Sequence, residues 1–326
     1  MLAGANAGTV TTTKEPDRGI IVNKTLIIAL ATYVVVGCSG GSSAPMQDVT
    51  AGEATGIVNI AVTDAAVDSV TEVWVEFTGV TLKPQTGDEV VVTFDTPKSI
   101  NLLDLQDGKT EALLPDTRVP AGPYDWMRLG VNAEFDHVMD SYAMLEDGSQ
   151  VELRIPSCSQ NGLKLVSGFT VTQNASTNLV IDWDLRKALS DPKGQPGMHL
   201  RPALRVTDMA AFGTLEGTVA EALTSADGCG DDAGIGNAVY VYNGIVDSPF
   251  DIRAADTDPV VTATVGEDFV YAISYLSAGD YTVAFTCQAE LDDPEQEDEL
   301  VFSVVNTNVI VVVGETTIVD FATPAP

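Results

Sequence analysis

Between Val70 and Leu82 the chain reads VTEVWVEFTGVTL, with Val73, Val75, Phe77 and Gly79 on one face and Trp74, Glu76 and Thr78 on the other. Side chains of a strand alternate between two sides, so a period of two specifies a half-buried β-strand. The style persists along the chain. Gly56–Thr63, Val90–Phe94, Tyr124–Val131, Val151–Ile155, Leu163–Val171, Asn178–Asp184 and Met198–Val206 are rich in β-branched or aromatic residues. Turn signals such as Thr86-Gly87-Asp88-Glu89 and Glu146-Asp147-Gly148-Ser149 separate them. One short helix is expected at Asp184–Leu189, with Asp182 or Asp184 near its positive end. Beyond residue 212, strands are expected at Thr214–Ala220, Ala238–Tyr242, Val260–Val265, Phe269–Tyr275, Tyr281–Cys287, Leu300–Val305, Val309–Val313 and Thr317–Phe321. Seven or eight short strands in such a span fit an immunoglobulin-like or transthyretin-like sandwich. Ala121-Gly122-Pro123-Tyr124 and Ala278-Gly279-Asp280-Tyr281 each deliver a Tyr from a Gly turn to the start of an apolar strand. That phrase predicts a tyrosine corner, a structural tie, at Tyr124 and Tyr281.

Charge divides the chain. Residues 55–212 hold 12 basic and 22 acidic side chains, whereas residues 213–326 hold 21 acidic ones and a single base, Arg253. The break places a boundary near Phe212-Gly213, giving β-rich domains over 55–212 and 213–326. Over all 326 residues the net charge is −31, which argues against nucleic-acid binding and against electrostatic docking on anionic headgroups. A saline habitat accounts for such a surface without a specific cation store.

The N-terminal stretch NKTLIIALATYVVVGCSGGSS, residues 23–43, reads as a bacterial lipoprotein signal. Lys24 supplies the positive charge, and Thr25–Val36 supply an apolar run too short to span a bilayer core, which needs about 20 residues. Val35-Val36-Gly37-Cys38 then resembles a lipobox, making Cys38 the expected lipidation site. Residues 1–37 are the signal region. Glu15 and Asp17 fit an n-region poorly, so initiation is expected at Val22; a long n-region is the alternative. Residues 38–54 form the lipidated cysteine and a flexible Gly/Ser-rich tether. No aspartate follows Cys38, which by resemblance to Gram-negative lipoproteins favours the outer membrane.

The first domain carries an ordered series of short phrases. They are Thr63-Asp64-Ala65 with Asp68, Asn101-Leu102-Leu103-Asp104-Leu105, Pro120-Ala121-Gly122-Pro123-Tyr124 with Arg128-Leu129, Pro156-Ser157, Gly162-Leu163-Lys164-Leu165, Asp182-Trp183-Asp184-Leu185-Arg186 and Leu200-Arg201-Pro202-Ala203-Leu204-Arg205. Over residues 55–207 this resembles the bacterial lipoproteins grouped as domain of unknown function 4382. The resemblance implies an exported β-rich domain with no established activity, so it supplies no catalytic residues. Ala66 and Cys158 depart from the pattern. The C-terminal domain is similar, generically, to immunoglobulin-like or carboxypeptidase-regulatory-like modules.

Chemistry is sparse. His137, in Asp136-His137-Val138-Met139-Asp140, has no second His or Cys near it in sequence and reads as an exposed loop residue rather than a zinc ligand. Asp182 and Asp184, at i and i+2, share a strand face and can form a carboxylate pair; Lys164 or Arg186 are the expected counter-ions, which would make the pair structural. Acidic loops supply weak calcium candidates at Asp227, Asp231, Asp232, Asp292, Asp293 and Glu295, without EF-hand spacing; runs of like charge are usually solvated. With Cys38 lipidated, three cysteines remain, and a Cys229–Cys287 disulfide is expected, leaving Cys158 free or paired between molecules. Cys158–Cys229 and Cys158–Cys287 bridges are the rivals.

The fold class read here is all-β, two β-sandwich-like domains after a signal and tether. The expected function is a lipid-anchored envelope protein with a binding or structural role, not an enzyme and without a cofactor, its partner another envelope protein or a glycan. The alternatives are an envelope carbohydrate-active hydrolase using Asp64, Asp104, Asp182 and Asp184, or an extracellular cation binder.

Overall fold

The computed structural model describes residues 54–65, 67, 70–106, 108–155, 162–192, 196–226, 229, 236–253 and 257–323. The signal, Cys38, the Val22 start, the tether and Cys158 lie outside the described residues, as do Asp227, Asp231 and Asp232. The chain is all-β. In the N-terminal half the strands run β1 (Thr55–Ala65), β2 (Val70–Pro84), β3 (Val90–Asn101), β4 (Glu111–Pro120), β5 (Gly122–Asn132), β6 (Tyr142–Leu145), β7 (Gln150–Arg154), β8 (Leu163–Leu165), β9 (Phe169–Val171), β10 (Ser176–Asp184), β11 (Leu189–Ser190), β12 (Met198–Leu200) and β13 (Leu204–Asp208). One sheet has the order β13-β10-β1-β4; the other follows β11-β12-β7-β6-β2-β5-β8, with β3 also paired to β2 and β9 to β5. Their facing apolar side chains, among them Val58, Ile60, Phe77, Leu82, Met127, Leu129, Ile181 and Trp183, form one core.

Alternation along β2 survives a slip in parity. Val73, Val75 and Phe77 are buried, and so are Val80 and Leu82, three and five residues beyond Phe77. A register shift between Phe77 and Gly79, against both β3 and β5, resets the face so that apolar residues stay inside. Strand β4 was not expected. Its sequence, EALLPDTRVP, contains two prolines, which lack the N–H a central strand must donate. It is accommodated as the edge of its sheet, beyond β1, with Asp116 at φ 43° and register shifts in the pairing. Asn59 Oδ1 accepts from the Asp116 amide at 2.6 Å, pinning the irregularity.

The C-terminal half contains β14 (Phe212–Thr218), β15 (Ala238–Asn243), β16 (Val261–Thr264), β17 (Val270–Ser277), β18 (Gly279–Thr286), β19 (Val304–Val311) and β20 (Thr316–Ile318). A three-stranded sheet, β17-β14-β20, packs on a four-stranded one, β16-β15-β18-β19. Leu215, Val239, Val241, Ile273, Val283, Phe285 and Phe321 fill the space between. The separate strands expected at Leu300–Val305 and Val309–Val313 are corrected to the single strand β19. Leu300 and Phe302 instead cover the outer face of the four-stranded sheet, with Phe302 5.3 Å from the ring of Tyr240. That sheet is therefore buried on both faces. Cys229 and Cys287 are joined, their Cα atoms 5.2 Å apart across 58 residues of sequence. Both expected tyrosine corners are present: Tyr124 donates to the Pro120 carbonyl and Tyr281 to that of Ser277, each at 2.8 Å. The two halves belong to one compact unit.

Candidate functional site

The parallel pairing of β1 with β10 decides where the acids go. It sets Thr63 beside Asp182 and Asp64 beside Trp183 at the strand ends that face the C-terminal sandwich. A cleft of about 820 Å³ lies at this junction, lined by Asp64, Asp182 and Arg205 on one side and by Thr262, Ser274 and Tyr275 on the other. Asp64 and Asp182 thus both line the cleft, from opposite faces of the sheet. Asp184 is buried at the same junction, while Asp104 is exposed in a 3-10 turn elsewhere.

One of the cleft's charges, Arg205, is engaged across the junction. Arg205, on β13, donates through Nε to Asp182 at 2.6 Å. Its two terminal nitrogens each donate at 3.0 Å, to the carbonyls of Tyr275 and Ser274. Those carbonyls are available for a local reason. Between Gly213/Leu276 and Leu215/Ile273 the β14–β17 ladder slips, leaving Ser274 and Tyr275 opposite Thr214 alone. Tyr275 adopts φ 56°, an uncommon conformation for a bulky residue. The bulge turns both carbonyls out of the ladder, and a guanidinium fork suits two adjacent acceptors. The Thr207 hydroxyl adds a bond to the Tyr275 carbonyl at 2.9 Å, and Tyr275 donates its own hydroxyl to the Gly108 carbonyl at 2.8 Å. Burial, then the charge of Asp182, raises the Tyr275 phenol.

Asp184 caps the expected helix, α1 (Leu185–Ala188), by accepting from the Lys187 amide at 3.3 Å. It also accepts from the Thr262 amide at 2.9 Å and the Thr262 hydroxyl at 3.0 Å, which lie on the other sandwich. Burial raises its pKa, and Lys187 opposes the shift. The expected counter-ions are corrected: Asp182 pairs with Arg205, and Asp184 is held by amides and hydroxyls. Arg186 reaches the Ala289 carbonyl at 3.1 Å and Thr264 at 3.4 Å, whereas Lys164 lies over the ring of Trp126. Further along, Lys187 donates to the Pro259 carbonyl at 2.7 Å, and Arg201 to the Pro294 carbonyl at 2.7 Å and Glu295 at 2.6 Å. Cations of the first sandwich thus dock on carbonyls and acids of the second. Arg205 is the residue that sequence reasoning missed. It appeared only within a family phrase, and its partners lie about 70 residues away.

The acidic loop after Ala289 is not uniformly solvated, contrary to expectation. Asp292 is buried, accepting from the Tyr240 hydroxyl at 2.6 Å and the Ile252 amide at 3.1 Å. Burial first pushes its carboxyl up to about 6. Asp251, Asp292 and Asp298 each bring an oxygen within 4.8 Å of the others, a set suited to a hard cation. Asp251 accepts from the Asp298 amide, and Arg253 Nη2 sits 2.7 Å from its other oxygen, so a local positive charge is already supplied. Asp293 closes a turn by accepting from the Glu295 amide, and Glu295 pairs with Arg201, so neither joins that set. His137 is exposed, at φ 68° in its loop.

Residues 55–202 match the family model described as domain of unknown function 4382. No curated protein matches the chain. Among solved structures, the TIE protein of Bacillus anthracis is similar at 13% identity and a TM-score of 0.18, over 82% of this chain and 34% of that one. This chain therefore spans about a third of that protein's length. The minor pilin GBS52 of Streptococcus agalactiae is similar at 10% identity and a TM-score of 0.19, over 82% of this chain and 97% of that one. The shaft pilin SpaA of Lactobacillus rhamnosus GG is similar at 9% identity and a TM-score of 0.21, over 83% of this chain and all of that one.

Proposed function

We propose that this is a lipid-anchored cell-envelope protein, processed at Cys38 and retained at an outer membrane, that binds or supports another envelope component without catalysis. One observation carries the non-catalytic part. Asp182 and Asp184, two of the four acids a hydrolase would use, are tied down: Asp182 accepts from Arg205, which itself bonds the second sandwich, and Asp184 accepts directly from Thr262 of that sandwich. A general acid or base must reach substrate and exchange a proton, and a carboxylate held by a guanidinium Nε–H or a peptide amide is poorly placed for either. What the junction does support is a fixed relation between two sandwiches, useful for presenting surfaces. The anchoring part is supported by the Cys38 signal. Mass spectrometry of the mature protein tests it, with a di- or triacylated N-terminus at Cys38 expected, and Cys38→Ala releasing the protein to the soluble fraction. An unlipidated chain beginning elsewhere overturns it.

A further inference from the structure

The outer, solvent-side face of the larger sheet in the N-terminal sandwich carries a cluster of cations around Trp126. By register Trp126 lies opposite Lys83, and Arg128 lies opposite Thr81 on one side and Lys164 on the other. The Arg128 guanidinium lies 4.7 Å from the Trp126 ring centre and the Lys164 ammonium 4.6 Å. Arg128 and Lys164 are thus like charges directly across a strand pair, an arrangement that costs stability. Cation–π attraction to the shared indole offsets that cost. Among the described residues no carboxylate pairs with Lys83, Arg128 or Lys164, although the chain has 47 acids and only 16 bases. The Arg128 Nε is buried and has no acceptor.

We propose that this face binds an acidic polysaccharide, its carboxylate or phosphate held between Arg128 and Lys164 beside Trp126. The inference rests on the binding role proposed above and names its ligand class. Charge complementarity selects an anion. The shape selects a thin, extended one. From Trp126 the face runs along β2 and β5 past Gly130, where the missing Cβ makes room for the Thr78 hydroxyl, 2.5 Å from where that Cβ would fall. It ends at Trp74, whose ring lies 6.4 Å from that of Tyr142 beside the Glu76–Asn132 hydrogen bond. Nine residues of strand separate Lys83 from Trp74, about 30 Å. A sheet face with an aromatic at each end fits a chain of pyranose rings, whose C–H faces pack on indole, better than a compact ligand, which takes a concave pocket. A bilayer or a duplex would meet the whole acidic molecule, whereas a single glycan chain meets only this face. Repulsion from the remaining surface is screened beyond about 8 Å at physiological salt.

The test is affinity electrophoresis of the detergent-solubilised full chain through polygalacturonate, through its methyl ester, and through a phosphomannan. Retardation by polygalacturonate and not by its uncharged ester is expected. Trp126→Ala and Lys164→Ala should each weaken it by about tenfold or more, with Lys164→Arg restoring it. Retardation by phosphomannan alone, with the same dependence on Trp126 and Lys164, supports the site and assigns the anion as phosphate. If Trp126→Ala fails to fold, exposed Lys164→Ala and Lys164→Glu carry the comparison. No retardation by either acidic polymer, retardation indifferent to these substitutions, or Trp126-dependent capture only by phosphatidylglycerol vesicles overturns the proposal. Lipidation at Cys38 is read separately, so failure here leaves the envelope assignment standing, and the reverse holds too.

Discussion

Asp292 shows how one side chain resists being read from its neighbours. In sequence it opens a run of acids, and such runs are usually solvated. In the fold it turns inward against Tyr240 and Ile252, and burial raises its pKa from 3.8 to about 6. The sign follows. A carboxyl easier to protonate when folded favours the folded state at low pH, and that contribution is lost as pH rises from about 4 through 6. Two pKa steps correspond to about 3 kcal/mol, an upper figure given its hydrogen bonds. Asp292→Asn should therefore flatten the fall in melting temperature between pH 4 and 7. Parallel slopes for the two proteins across that range would show that the group titrates normally. The residue was legible as a ligand candidate but not as a buried acid, because its partners Tyr240 and Ile252 are far from it in sequence. Arg205 was illegible for the same reason. Removing it strands the buried Asp182 carboxylate and two bulge carbonyls, so Arg205→Ala should cost about 3 kcal/mol, with Asp182→Asn costing less, by denaturant titration.

Elements were legible where the determining contacts are local. The phrases at Tyr124 and Tyr281 announced their corners because the hydroxyl bonds only four residues back. Each corner is one hydrogen bond to a backbone carbonyl, so Tyr124→Phe and Tyr281→Phe should each cost about 1 kcal/mol with an unchanged denaturant slope. A loss below a few tenths at both positions would demote them to packing residues. Alternation found β2, but the bulge that preserves its inner face at Val80 and Leu82 depends on pairing with β3 and β5. Strand β4 escaped because its prolines are tolerated only at an edge, and edge position is a property of the sheet. Leu300 and Phe302 misled in the opposite sense. An apolar alternating run looks like a strand whether it pairs or lies flat over Tyr240 and Tyr242. The Cys229–Cys287 bond ties the loop before β15 to the end of β18, and in the chain-entropy view closing 58 residues contributes about 4 kcal/mol. Cys229→Ser with Cys287→Ser should lower stability by that order, while a reductant leaves the double variant unaffected.

At the scale of the molecule the uneven charge acquires a structural meaning. The sandwich with 21 acids and one base meets the other through Arg186, Lys187, Arg201 and Arg205. Added salt acts on this arrangement in two opposing ways. It screens repulsion among the 21 acids, which stabilises, and it weakens attraction between the sandwiches, which destabilises. The junction bonds decide which effect wins. Most run from a cation to a carbonyl at 2.7 to 3.1 Å in partly buried surroundings, where screening by mobile ions reaches poorly. Repulsion among exposed acids is fully open to screening. Melting temperature should therefore rise with sodium chloride while unfolding stays a single transition, followed by calorimetry. Arg205→Ala, which loosens the junction without changing the acidic surface, should keep the rise and split the transition into two. Sub-millimolar calcium at constant high salt is expected to add little. A large stabilisation under those conditions, abolished by Asp251→Asn, would mean that Asp251, Asp292 and Asp298 hold a cation more strongly than Arg253 serves them, and that the acidity of this sandwich has a local purpose as well as a general one.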